Sequence, residues 1–167
     1  MRFPILASLL GTAFALLIGA AQAEEAGKVP DVVPSDRWDA SLQFGTATVA
    51  SPTRDARILI GCAEEDPSLA LMVTLVRPVA MSEKFRTVTV AFDGGPPVSE
   101  SWFSTTDSYG IADDELAFIT TLKGMMGHSS VEFILSEDGK ELDRHSFTLN
   151  GAPEAIGSVV RACQKGG

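Results

Sequence analysis

Arg57-Ile58-Leu59-Ile60-Gly61-Cys62-Ala63 is an apolar stretch rich in β-branched residues, and it predicts an inner β-strand. The polar segment Glu64-Glu65-Asp66-Pro67-Ser68 follows it as a turn, and residues 69–76 return as a second apolar strand. Together they predict a β-hairpin. The side chains expected to face inward from its two strands are Ile58, Ile60, Cys62, Leu69, Leu71, Val73 and Leu75. The starting hypothesis is therefore an antiparallel β-protein.

Alternation of apolar and polar residues predicts most of the remaining strands, because one face of such a strand is buried, and residues 98–104 are predicted as the return strand after a turn. The first alternates through Trp38, Ala40, Leu42 and Phe44, and further strands are expected at residues 46–50, 87–92, 98–104, 131–135 and 145–149. Asp93-Gly94-Gly95-Pro96-Pro97 and Glu137-Asp138-Gly139-Lys140 have turn composition. Residues 77–84 are expected to form a mobile connection. The count is seven strands, or eight with the short segment 46–50.

Two segments change to helical spacing. Acidic residues 113–115 precede Leu116, Ile119 and Leu122, which predicts a short helix that Gly124 would end. Pro153 begins a second helix, with Ile156, Val159, Val160 and Cys163 on one stripe. The predicted fold is mainly β: an antiparallel β-sandwich or flattened barrel of seven to eight strands with two short helices.

The N-terminus predicts export. Arg2 precedes an almost wholly apolar stretch over residues 3–21, and Ala21-Gln22-Ala23 is the small-x-small pattern that signal peptidase cleaves. We expect residues 1–23 to be a signal peptide cleaved after Ala23, residues 24–36 to be a flexible leader, and residues 37–164 to be one domain. The mature chain is then expected in the periplasm, with no stable membrane anchor.

The two cysteines, Cys62 and Cys163, both lie in the expected mature chain. An exported protein enters an oxidising compartment, where a pair of thiols is normally a disulfide. The inward stripe of the last helix carries Cys163 towards the sheet. We therefore predict that a structural disulfide ties the C-terminal helix to the strand that contains Cys62.

The charge balance is acidic. The 167 residues carry 13 basic and 22 acidic side chains, and loss of Arg2 with the signal leaves 12 against 22, a formal charge of −10. Such a surface repels nucleic acid. The charge is also suited to keeping a small secreted domain soluble.

The sequence contains no recognisable catalytic, cofactor-binding or metal-binding motif. His128 lies in a Gly-flanked loop and His145 in a strand, without a spacing that identifies a catalytic partner, so their roles stay open. Acidic residues 113–115 lack calcium-loop spacing and are read as a helix start. Core packing is the preferred interpretation for Trp38, Trp102 and the Met125-Met126 pair. We therefore expect no catalytic residues, no cofactor and no metal.

The order of several short motifs resembles a known family. They are Val90-Ala91-Phe92-Asp93-Gly94-Gly95-Pro96, Ser101-Trp102-Phe103-Ser104-Thr105-Thr106-Asp107, Phe118-Ile119-Thr120-Thr121-Leu122, Phe147-Thr148-Leu149-Asn150-Gly151 and Ala155-Ile156. With the opening Trp and the two cysteines, they resemble the VasI-like family of type VI secretion-associated periplasmic proteins over about residues 38–163. The stretches 45–57 and 77–84 depart from the family pattern.

The resemblance implies a non-enzymatic periplasmic accessory or binding protein, whose partner is an envelope or secretion-system protein. The −10 charge and the disulfide favour an alternative, an acidic inhibitor of a basic envelope-targeting enzyme such as lysozyme. A hydrolase that uses His128 or His145 is a third alternative.

Overall fold

The computed structural model describes residues 36–41, 45–62, 68–79, 82–111 and 115–164. These residues form nine strands in one antiparallel sheet and two helices. The elements are β1 (Asp39–Ser41), β2 (Thr46–Ala50), β3 (Ala56–Cys62), β4 (Leu69–Leu75), β5 (Lys84–Phe92), β6 (Val98–Ser104), β7 (Ser108–Ile111), α1 (Glu115–Gly127), β8 (Ser130–Glu137), β9 (Lys140–Thr148) and α2 (Ala152–Cys163). The expected signal peptide, and all of the expected leader except Asp36, lie outside the described residues.

The predicted central hairpin is confirmed. Ile58 pairs with Val73 and Ile60 with Leu71, and all four side chains are buried. Cys62 pairs with Leu69 at the far end of the hairpin. Side chains alternate between the two faces of a strand. The apolar residues of β3 and β4 therefore lie on the face of the sheet that packs against the core.

The strands follow the order β1-β2-β3-β4-β7-β6-β5-β8-β9. After β4 the chain crosses to β5 and returns through β6 to β7, which pairs with β4, so β4 to β7 form a Greek key. Strand β7 was not predicted from the sequence. It has only four residues, and its buried side chains are those of Tyr109 and Ile111. Strand β5 begins at Lys84, earlier than predicted, and the amide of Val79 donates to the carbonyl of Thr106, while the mobility of residues 77–84 stays a prediction.

The sheet curls so that its last strand approaches its beginning. The backbone amide of Trp38 donates to the carbonyl of Asn150 at 3.1 Å, and its indole Nε1 donates to the carbonyl of Thr148 at 3.1 Å. Trp38 is buried as expected, but β1 is only three residues long, and Leu42 and Phe44 lie outside the described residues. These two bonds join the first strand to the end of β9.

Aromatic side chains from four strands fill the curl. Trp102 on β6 lies 5.4 Å from Phe133 on β8 and 6.1 Å from Tyr109 on β7, measured between ring centroids. Phe133 in turn contacts Phe147 on β9 edge-to-face at 6.1 Å. Trp102 is fully buried, which confirms its interpretation as a core residue.

Helix α2 covers the core next to the first strands. Its buried stripe comprises Ala152, Ala155, Ile156, Val159 and Cys163. The predicted disulfide is present: Cys62 and Cys163 are bonded, with Cα atoms 6.0 Å apart. The C-terminal helix is therefore covalently tied to β3.

Helix α1 is predicted from the sequence to end at Gly124, but in the structure it continues to Gly127. Gly124 lies against the ring of Phe92, where an added Cβ would come within 2.3 Å of the ring. The glycine is therefore required by close packing and does not terminate the helix. Met125 is buried as expected, whereas Met126 is exposed, so only half of that prediction is confirmed. Residues 113 and 114, the expected helix start, lie outside the described residues.

Candidate functional site

A cavity of about 460 Å³ lies at one end of the sheet. At this end, which we call the site end, β2 leads into β3, β4 and β6 finish, β5 and β7 begin, and β8 turns into β9. The cavity is lined by the β2–β3 loop, by residues 75–79, and by Asp143 and His145 of β9. Its volume is in the range of small-molecule and peptide side-chain sites.

The β2–β3 loop is folded around Ser51, which is buried. Its backbone amide donates to the carbonyl of Ala56 at 2.9 Å, and its Oγ accepts the amides of Asp55 and Ala56. Arg54 has a φ of 59°, a left-handed conformation that is uncommon for a residue with a side chain. The loop therefore holds Asp55 in a fixed position at the cavity.

Three donors converge on one oxygen of Asp55. Oδ1 accepts the hydroxyl of Ser51 at 2.7 Å and that of Thr53 at 2.6 Å, and it lies 3.2 Å from Nδ1 of His145. The hydrogen bond from Thr53 is the largest influence on the pKa of Asp55. With the Ser51 bond and the charge of His145, it outweighs burial and holds that pKa below its ordinary value. Asp55 is therefore an ionised carboxylate.

His145 lies between two carboxylates. On β9 it is two residues from Asp143, so both side chains are on the inward face, and its Nε2 lies 2.8 Å from Oδ2 of Asp143. The residue is only 8% exposed. Both ring nitrogens therefore face a carboxylate oxygen, and a carboxylate favours a hydrogen-bond donor opposite it. We call Asp55, His145 and Asp143 the Asp–His–Asp site, in which the two carboxylates favour the protonated form of the ring.

Burial by itself lowers the pKa of His145, because it disfavours the charged ring. The hydrogen bond to Asp143 and the charges of Asp143 and Asp55 act in the opposite direction and prevail, so the pKa of His145 lies above its ordinary value. The ring of His145 therefore links the β2–β3 loop to β9, two described parts of the sheet that no backbone ladder joins.

The arrangement differs from that of a catalytic triad. In a triad the nucleophile's hydroxyl donates to a ring nitrogen of the histidine, which accepts the proton. Here the hydroxyls of Ser51 and Thr53 donate to Asp55, and both nitrogens of His145 face carboxylates. Neither hydroxyl donates to a nitrogen of His145, and the three side chains form a polar surface in the cavity.

Large apolar side chains are exposed at the same end of the sheet. Phe85 near the start of β5 and Phe103 near the end of β6 are 57% and 40% exposed, and their rings pack edge-to-face at 5.5 Å. Val76, which lines the cavity, is 54% exposed. The aromatic pair is on the outward face of the sheet, opposite the face that carries Asp143 and His145, and exposed aromatic residues are typical of protein-binding surfaces.

The second histidine has a separate role. His128 Nδ1 lies 2.9 Å from Oδ2 of Asp93, and its ring stacks on Phe92 at 5.1 Å. Oδ1 of Asp93 accepts the amides of Ser129 and Ser130. This exposed cluster ties the β5–β6 turn to the start of β8, and it lies apart from the cavity. The structure does not bring the two histidines together.

Sequence reasoning noted His145 but missed Asp55 and Asp143. A usable signal was present: Asp143 and His145 are two positions apart in a strand, so they share a face. Asp55 carries no such signal, because only the curl of the sheet brings its loop to β9. Within the described residues, no group of three or more His, Cys, Asp or Glu side chains is arranged to hold a metal ion.

Comparison of the chain with protein-family models, with curated proteins and with solved structures found no match. Among the described residues, neither helix has the length and apolar character needed to cross a membrane.

Proposed function

We propose that the chain is an exported, non-enzymatic accessory protein that binds an envelope protein through the site end of its sheet. The observation that carries the proposal is that both ring nitrogens of His145 are engaged by carboxylates at a cavity. A histidine whose two nitrogens face carboxylates is not free to accept a proton from a substrate, which supports a binding role for the site. The exposed Phe85–Phe103 pair supplies the apolar contact area that protein partners use.

Two features support a location in the periplasm. Ala21-Gln22-Ala23 follows an apolar stretch in the manner of a signal peptide, and the Cys62–Cys163 disulfide is suited to an oxidising compartment. The association with type VI secretion rests on the motif order shared with the VasI-like family. Mass spectrometry of the protein from a periplasmic extract tests the location, and an N-terminus at Glu24 is the expected result.

The binding role is tested by site-specific photo-crosslinking in the cells that make the protein. A photoreactive residue replaces Val76 at the cavity or Phe85 on the aromatic pair, and the matched control replaces Leu116. Leu116 is 76% exposed on α1, which follows the opposite end of β7. We expect one envelope protein to be crosslinked from both site-end positions and not from Leu116.

The crosslinked partner also discriminates between the alternatives. A secretion-machine component supports the accessory role, whereas a basic envelope-targeting enzyme such as a lysozyme supports an inhibitor. Absence of any specific adduct from Val76 and Phe85, or equal labelling from Leu116, contradicts binding through this end of the sheet.

A further inference from the structure

Two arginines at the cavity have no partner. Among the residues that the structure describes, neither Arg54 nor Arg77 makes an ion pair or a side-chain hydrogen bond, although both line the cavity. Arg37 and Arg57 also make no ion pair among the described residues, but they do not line the cavity, whereas Arg86 pairs with Glu137 and Arg144 pairs with Glu132 and Glu141. With 22 acidic side chains in the chain, two unpaired guanidinium groups at one cavity point to an anionic ligand.

The charges at the cavity favour a single negative charge. Arg54 and Arg77 line the cavity together with Asp55 and Asp143, and protonation of His145 between the two carboxylates leaves one positive charge in excess. Asp55 and Asp143 are already satisfied by His145 and by the loop hydroxyls, so they do not demand a cation. Their negative charge also disfavours a ligand with two negative charges.

The remaining wall of the cavity is apolar. Leu75, Val76, Pro78 and Val79 form it from the segment after β4. A ligand that fills the cavity therefore carries an apolar group beside its anionic group, since burying apolar surface against this wall is favourable. A planar carboxylate matches the forked donors of a guanidinium and can be held by two bonds.

We propose that the cavity binds a carboxylate attached to a short apolar group, with Arg54 and Arg77 as its carboxylate-binding residues. Two sources carry this chemistry: the C-terminal residue of a polypeptide and a free short-chain carboxylic acid. The inference rests on the proposed function in that it assigns the chemical group that the site end recognises. A polypeptide C-terminus would make this group part of the envelope partner.

The test is calorimetric titration of the purified, disulfide-bonded protein. The probes are N-acetyl-alanyl-leucine, the same dipeptide with a C-terminal amide, hexanoate, and inorganic phosphate. We expect the dipeptide acid to bind and the amide to bind at least about tenfold more weakly, because the amide lacks the charge that the guanidinium groups contact. The R54Q/R77Q variant should lose about tenfold or more in affinity for the acid.

Arg37→Gln is the matched control, because Arg37 is exposed and does not line the cavity. It should leave affinity unchanged, and thermal melting verifies that every variant is folded. Tighter binding of the dipeptide acid than of hexanoate supports a polypeptide C-terminus as the source, and equal or tighter binding of hexanoate supports a free acid. Equal binding of acid and amide, binding of phosphate alone, or unchanged affinity in R54Q/R77Q overturns the inference. If no probe binds while crosslinking from Val76 persists, this inference fails and the proposed function stands.

Discussion

His145 on β9 and Asp55 on the loop before β3 lie 3.2 Å apart, measured from Nδ1 to Oδ1. No backbone ladder connects these two parts of the sheet. The side-chain bridge therefore closes the curled sheet at the site end, and it places the buried imidazole of His145 between two carboxylates. The same bridge gives the cavity its polar surface.

The bridge predicts a stability that depends on pH. The pKa of His145 in the folded protein is raised above its ordinary value of 6.5, so protonation stabilises the fold below that value. This stabilisation is lost as the pH rises through the folded pKa. We expect the free energy of unfolding, measured by urea denaturation between neutral and alkaline pH, to fall for the wild type and to fall less steeply for His145→Gln.

His128→Gln is the matched control, since it changes the exposed histidine and leaves the bridge intact. Its stability should decline with pH as the wild type's does. Identical profiles for His145→Gln and the wild type would show that the imidazolium contributes no stability. On the acid side, the lowered pKa of Asp55 stabilises the fold above its ordinary value of 3.8, and this contribution is lost as the pH falls through the folded pKa.

The disulfide predicts a large loss of stability on its removal. The double variant C62A/C163A should unfold with a free energy lower by about 2–5 kcal/mol, because the crosslink restricts the unfolded chain. Urea denaturation measures this difference. Reducing agent should lower the wild-type midpoint and leave the double variant unchanged; an unaltered midpoint in both experiments would refute a stabilising role.

Replacing Gly124 with alanine is expected to disturb the packing of α1 against β5. An alanine there favours the helix by roughly 1 kcal/mol, but its Cβ would overlap the ring of Phe92, so we expect a net destabilisation of about 1–3 kcal/mol. Gly127→Ala is the control, because an added Cβ meets no atom within 4 Å. Pairing Gly124→Ala with Phe92→Leu should recover stability. A stable Gly124→Ala single variant would argue against the close approach of α1 and β5.

Removing the buried hydroxyl of Tyr109 is expected to stabilise the folded protein. Within the described residues this buried oxygen has no hydrogen-bond partner, and burial together with the charge of Asp143 raises the pKa of the phenol. Tyr109→Phe removes the unsatisfied group and should raise the free energy of unfolding by about 1 kcal/mol, as read from the thermal midpoint. A lower midpoint would instead show that the hydroxyl has a partner in solution.

Much of the fold follows from local patterns in the sequence. Alternation located the β3–β4 hairpin and the strands around Trp102 and Phe133, and helical spacing located α2 and its cysteine. Strand β7 was missed because its four residues give too short an alternation. The length of α1 was misjudged because glycine is also used for close packing, and only the position of Phe92 reveals that use.

The candidate site was less predictable than the fold. Asp143 and His145 share a strand face, which periodicity can show, but Asp55 reaches them only through the curl of the sheet. The unpaired state of Arg54 and Arg77 is likewise a property of the assembled surface. Short-range patterns predict which residues are buried, and the meeting of three distant segments depends on the complete topology.

Protonation of His145 is central to the binding role proposed for the Asp–His–Asp site. Nitrogen-15 NMR of the imidazole ring at neutral pH measures it, with His128→Gln used to assign the signals. We predict that both ring nitrogens of His145 carry a proton, as two donors to Asp55 and Asp143 require. A neutral ring with one bare nitrogen would contradict the account, because His145 would then be available as a base.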